Sequence, residues 1–291
     1  GRMPTIPAGP APEPGPQPAE AQPAEAQPTE AQPTEAQPAE SHQARQVAES
    51  FGTDAERYDR ARPSYPRDLV ERIVAGSPGR DVLDVGCGTG IVSRLFQAAG
   101  CRVLGVDPDA RMADLARRGG LEVEVSTFEA WDSGGRAFDA VVAGQAWHWV
   151  DPVAGAAKAA ETLRPDGRFA VFWNAFQPPP GLGEAFVEVY HRPMPGPDAY
   201  TELCDKAAGG LRQTGGFGDP EQWRFDWDRD YTRDEWLDQV PTFGFNTRLP
   251  RATMDDVLAG MGAAIDAVGG SFTMHYGTVA LCATRTGRRA G

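Results

Sequence analysis

Residues 82–90 read Val-Leu-Asp-Val-Gly-Cys-Gly-Thr-Gly, an apolar run that breaks into alternating glycines. The run Asp81–Val85 predicts a buried strand, and Ile91–Ala99 predicts a helix ending at Gly100. Glycine at such a junction lets the backbone turn sharply into the helix and pass close beneath a ligand. A nicotinamide fingerprint, G-x-G-x-x-G counted from Gly86, would need glycine at position 91, where Ile91 stands. The pattern present is G-x-G-x-G, with an acid, Asp84, two residues ahead of the first glycine.

The chain around this string alternates. Strands are predicted at Cys101–Val106, Leu121–Val125, Phe138–Ala143 and Arg168–Trp173. Helices are predicted at Ala110–Arg118, closed by Gly119, and from the Asp151-Pro152 cap to about Leu163. Continuous apolar strands alternating with helices mean a parallel sheet covered on both faces. Late strand-like runs at Gln222–Asp228 and Tyr276–Thr284 fit a closing antiparallel pair, with helices at Glu184–His191, Thr232–Val240 and Met254–Ala267. The fold class is α/β: a Rossmann-like seven-stranded sheet, mostly parallel with a C-terminal antiparallel strand, helices on both faces and a small cap or insert region.

Four regions follow. Residues 1–40 hold 11 of the 26 prolines and a repeated pentapeptide, AQPAE-AQPTE-AQPTE-AQPAE at 21–40. Such a stretch buries too little apolar surface to offset its ordering entropy and reads as a disordered tail. Residues 41–76 read as a helical lid, with helices over 44–60 and 67–75; 77–174 form the cofactor-binding core and 175–291 the substrate-recognition insert and closing strands. The net charge of −13 argues against a partner bound through a phosphate backbone. No apolar run reaches the roughly 18 residues of a membrane span. Four widely spaced cysteines and no secretory signal predict a reduced, cytoplasmic chain. Abundant Ala, Gly and Arg with only Lys158 and Lys206 point to a GC-rich bacterial genome.

Asp107 closes the second strand, 23 residues after Asp84. A carboxylate there can accept both hydroxyls of a ribose; the alternative is a helix cap, which Asp109 can supply instead. Over residues 45–285 the sequence resembles the class I S-adenosylmethionine-dependent methyltransferases. The resemblance rests on Asp84 with Gly86–Gly90, Gly105–Asp109, Phe138–Val142 and the Leu163–Gly167 turn. Gly144–Trp149 (Gly-Gln-Ala-Trp-His-Trp) and Tyr58–Pro66 are similar to a small-molecule branch that includes trans-aconitate methyltransferase relatives. It implies that Gly86, Cys87 and Gly88 cradle S-adenosylmethionine, that Asp84 meets loop amides or the cofactor ammonium, and that Pro108 and Met112 pack on adenine. It places Phe128 and Glu129 on the loop that edges the adenine, a solvated acid being the alternative for Glu129. Cys87 reads as a small loop residue, with no neighbouring His to activate it.

Ligands of open α/β sheets sit outside the carboxyl ends of the strands, which places Gln145 near the methionine portion and His148 near the methyl. His148 is either a proton acceptor or a structural ring between Trp147 and Trp149. Tyr58, Arg62 and Tyr65 form either a lid on the cofactor carboxylate or ordinary helix packing. Phe176 and Trp223, among many aromatics after residue 175, are candidates for an aromatic acceptor pocket, or else core of the cap. Glu184 and Glu188, four apart, are candidate bases. No metal-ligand cluster is apparent, and His42, His148, His191 and His275 are scattered. The reading is methyl transfer by in-line displacement to a small, apolar or aromatic metabolite, in secondary metabolism. The competing readings are a nicotinamide-dependent oxidoreductase and a non-catalytic cofactor-binding interaction protein.

Overall fold

The computed structural model describes residues 64–191, 197–242 and 249–287. The repeat tail, the helix expected over 44–60, Tyr58 and Arg62 lie outside them. Among the described residues, seven strands form one sheet in the order β3-β2-β1-β4-β5-β7-β6. They are β1 (Asp81–Val85), β2 (Arg102–Asp107), β3 (Glu122–Val125), β4 (Phe138–Gly144), β5 (Leu163–Gln177), β6 (Glu221–Thr232) and β7 (Ser271–Thr284). β1 to β5 run parallel, whereas β7 pairs antiparallel with both β5 and β6. The described helices are α1 (Arg67–Ala75), α2 (Ile91–Ala98), α3 (Ala110–Arg118), α4 (Pro152–Thr162), α5 (Leu182–Tyr190), α6 (Pro197–Thr214), α7 (Arg233–Gln239) and α8 (Arg251–Ala267).

Two-residue alternation inside the apolar strands divides the sheet's faces. Val82, Val103, Ala140 and Val142 point to the face covered by α1, α2 and α3, which deliver Leu69, Ile73, Val92, Phe96 and Ala113. Leu83, Val85, Val141 and Ala143 point to the other face, covered by α4 and α6 through Ala156, Ala159, Tyr200, Cys204 and Leu211. Helix starts follow local chemistry: Asp109 accepts from the Arg111 and Met112 amides, and Asp151 from those of Val153 and Ala154, with Pro152 in the first turn.

Three expectations change. Helix α1, assigned to a lid, buries Leu69, Val70 and Ile73 against the sheet and is a covering helix. The boundary drawn at 174 falls inside β5, which runs to Gln177. Residues 197–214, to which no element is assigned above, form α6, which packs against α4 in the main core. Beyond the parallel strands, β5, β7 and β6 continue as a three-stranded antiparallel ribbon. With α5, α7 and α8 it encloses a separate cluster around Phe186, Trp236, Met261 and Tyr276, which is the cap.

Candidate active site at the carboxyl ends of the strands

β1 and β4 are neighbours, but their following helices cover opposite faces: α2 one, α4 the other. The chain therefore parts at the carboxyl ends of these two strands and leaves a crevice there, bordered by Gly86–Gly90 and by the β4 exit, Gln145–Trp149. Gly86, Gly88 and Gly90 have φ of 68°, 53° and 95°, the left-handed region that glycine enters without a Cβ clash. The Gly86 and Cys87 amides donate to the Val106 carbonyl at 2.7 and 3.2 Å, binding the loop to β2. A Cβ on Gly105 would stand 2.6 Å from Cys87 Sγ, so Gly105 makes room for Cys87 under the loop. Burial, with Asp84 and Asp107 adding, raises the Cys87 thiol well above its usual range, which suits a packing group.

Two buried acids face this loop. Asp107 accepts from the Gly88 amide at 2.9 Å and the Asp109 amide at 2.8 Å, one on each oxygen. Asp109 supplies the cap of α3, as the alternative allowed, and Asp107 instead sets the glycine loop. Asp84 Oδ2 accepts from Ser93 Oγ at 2.5 Å, while its buried Oδ1 has no partner among the described residues. Burial pushes the Asp84 carboxyl up to about 7; the charge on Asp107 adds to this and the Ser93 hydrogen bonds oppose it. Burial raises Asp107 to about 6, against the two amides that favour its ionised form. A glycine cradle backed by an orphaned carboxylate oxygen and a second acid fits a ligand carrying a cation.

At the β4 exit, Gln145 is a non-glycine residue with φ of 57°. Its amide donates to the Phe172 carbonyl at 2.9 Å, and its Oε1 accepts from the Asn174 amide at 2.6 Å. His148 Nδ1 accepts from Trp173 Nε1 at 3.2 Å. An indole N–H only donates, so Nδ1 carries no proton and the neutral ring holds its proton on Nε2. Burial lowers the His148 pKa to about 3. His148 as proton acceptor is therefore corrected: in this arrangement it is an N–H donor with no lone pair to spare. Tyr65 is buried edge-on against Phe172, ring centres 4.9 Å apart. Its hydroxyl is 3.0 Å from where a Cβ on Gly144 would stand, at the mouth of the crevice.

Other expected residues lie differently. Met112 is buried and Pro108 exposed at the start of α3. Phe128 is core, 3% exposed between Trp131 and Trp147, and offers no free edge. Glu129 Oε1 accepts from the Asp151 amide at 3.1 Å, ahead of α4. Phe176 packs on Trp236 and Tyr276 inside the cap core, not on an open pocket. Trp223 is buried beneath the Arg72 guanidinium, 3.9 Å from its ring centre, and holds α1 to the sheet far from the loop. Glu184 and Glu188 are corrected as bases: α5 turns Leu182 and Phe186 inward and both acids outward to solvent. Trp173, Asn174 and Ser93 were missed; each follows or faces a motif residue, but only tertiary contact reveals its hydrogen bond. A cleft of about 550 Å³ opens at the opposite, amino ends of the strands. Its Arg102, Arg136 and Arg164 are already ion-paired with Asp81, Glu124 and Asp139.

Comparisons with known proteins bear on the family and the fold. A family model described as a methyltransferase domain matches residues 58–202. A malonyl-[acyl-carrier protein] O-methyltransferase of Enterobacter lignolyticus is 31% identical over 172 residues, covering 57% of this chain and 68% of that protein. An uncharacterized methyltransferase of Mycobacterium tuberculosis is 36% identical over 132 residues, 45% of this chain. The chain spans about half, 54%, of the length of that relative. Among solved structures, a type II methyltransferase of Anaeromyxobacter dehalogenans superposes with a TM-score of 0.60 at 24% identity, covering 78% of this chain and 99% of that one. The chain belongs to the class I S-adenosylmethionine-dependent methyltransferases. The narrower resemblance to trans-aconitate methyltransferases is not shown by these relatives.

Proposed function

We propose that the chain transfers a methyl group from S-adenosylmethionine to a small metabolite with an apolar or aromatic body, held between the strand ends and the cap. The observation that carries this reading is Asp84 Oδ1, without a partner among the described residues and buried beside Asp107 under a left-handed glycine turn. The cofactor supplies a methyl carbon activated by a sulfonium. Asp84 Oδ1 and the glycine loop would hold its amino-acid end, and Asp107 has lone pairs left for the ribose hydroxyls. Met112 and Pro108 flank the adenine side, and Gln145 and Tyr65 border the methionine side. His148 donates through Nε2 to the acceptor and orients it. The chain's task is then alignment and exclusion of water. Trp149, 43% exposed beside His148, offers an apolar wall to the acceptor.

The cytoplasmic reading rests on the wide spacing of the four cysteines, all of them free and buried. No helix among the described residues is long and apolar enough to cross a membrane. Calorimetry with S-adenosylhomocysteine, S-adenosylmethionine and NAD separates the readings. Binding of the first two and not the third is expected; NAD binding alone would overturn the proposal. A chain that binds cofactor but turns over no acceptor from a panel of small acids, phenols and amines favours the non-catalytic binding reading.

A further inference from the structure

The backbone at Ser64 and the edge strand of the cap are joined by a directed chain of hydrogen bonds through the interior. Trp227 Nε1 on β6 donates to Thr278 Oγ1 at 2.8 Å, and Thr278 donates its hydroxyl to Asn174 Oδ1 at 2.6 Å. Asn174 Nδ2 donates to the Ser64 carbonyl at 3.0 Å. The direction is forced at both ends, since an indole N–H only donates and a carbonyl only accepts. The threonine hydroxyl has one proton, so after accepting from Trp227 it gives that proton to Asn174. This decides which end of the amide faces Ser64. Asn174 and Thr278 are opposite one another in the β5–β7 register, and both are fully buried.

Two residues at the crevice hang from Asn174. Its backbone N–H holds Gln145 Oε1, across a left-handed non-glycine backbone that needs holding. Its side chain holds Ser64, whose neighbour Tyr65 places its hydroxyl over Gly144 at the end of β4. We propose that Asn174 is a positioning residue for the cofactor crevice. It seats Tyr65 and Gln145, and the cap sets the direction of its amide through Thr278 and Trp227. The inference rests on the cofactor reading above, and it couples cap to cofactor through hydrogen bonds rather than through the bound molecules.

The test is a double-mutant cycle on S-adenosylhomocysteine affinity, read by calorimetry on the full chain. Thr278 lies two residues along β7 from Tyr276, outside the crevice, so a merely structural role predicts equal losses in any background. The relay predicts that Thr278→Val weakens binding about tenfold in the parent chain but less than about twofold on top of Tyr65→Phe. Thr278→Ser keeps the hydroxyl and restores the affinity. If Thr278→Val loses its near-ultraviolet circular dichroism, Trp227→Phe replaces it in the same cycle. Equal losses in both backgrounds, or no loss from either Thr278→Val or Tyr65→Phe, overturn the relay. A parent chain that does not bind the probe overturns the cofactor reading itself, and the relay falls with it; binding with an additive cycle removes the relay alone.

Discussion

Asp84 and Asp107 are held in conflict with folding. Both carboxyls have raised pKa values, about 7 and about 6, so the folded chain binds more protons than the unfolded one between roughly pH 4 and 7. Their contribution therefore favours the fold at low pH and is lost as pH rises through those values. His148, lowered to about 3, works the other way below its ordinary 6.5, but it is one group against two. The melting temperature of the ligand-free chain is expected to be higher at pH 5 than at pH 8. Asp84→Asn keeps a carbonyl for Ser93 and removes the unmatched charge. It is expected to stabilise the ligand-free chain at pH 8 by ~1–3 kcal/mol while abolishing binding of S-adenosylhomocysteine. Denaturant titration and calorimetry read the two effects, and a destabilised Asp84→Asn chain would show that the charge is satisfied. At the same scale, nitrogen NMR of His148 is expected to show a neutral ring protonated at Nε2, without titration between pH 5 and 8. Trp173→Phe frees Nδ1, and mixed tautomers should then appear; a protonated Nδ1 in the parent chain would refute the donor assignment.

Among elements, the glycine turn, the strands flanking it and both aspartate caps were legible because each is dictated by neighbours in sequence. Helix α6 was equally legible and was missed. Tyr200, Leu203, Cys204, Ala207, Ala208 and Leu211 carry helical spacing and are all buried, but the Gly- and Pro-rich composition of residues 175–220 masks that spacing. Gly210 is needed there, since a Cβ would stand 2.0 Å from the Pro152 carbonyl oxygen where α6 crosses α4. Gly144 is the corresponding position at the crevice. A Cβ there would meet Val92 at 2.7 Å and Phe172 at 2.9 Å, as well as the Tyr65 hydroxyl. Gly144→Ala is expected to cost ~1–3 kcal/mol of stability and to weaken S-adenosylhomocysteine binding. Thermal melts and calorimetry check this; unchanged affinity would mean that the crevice tolerates a shifted Tyr65.

At the scale of the molecule, the sheet serves two cores. The main core grips both faces of the parallel strands, while the cap core rests on the antiparallel extension alone. Trp236 is fully buried at the centre of the cap, stacked on Phe186 with ring centres 5.8 Å apart. Trp236→Ala is expected to cost the cap ~3–5 kcal/mol and to separate its unfolding from that of the main core. Scanning calorimetry should then show two transitions, with S-adenosylhomocysteine raising the upper one. A single cooperative transition would mean that the two cores unfold as one, because β5 and β7 run through both.

Read alone, the residues determined the parallel core, the glycine turn and the two acids behind it, because alternation, backbone freedom and strand-end position are local consequences of order along the chain. Only the folded arrangement decided which aromatics are core, which way Glu184 and Glu188 point, and which nitrogen of His148 holds its proton. Those outcomes depend on contacts between residues distant in the chain, such as Trp173 with His148 and Asn174 with Thr278, which no periodicity encodes.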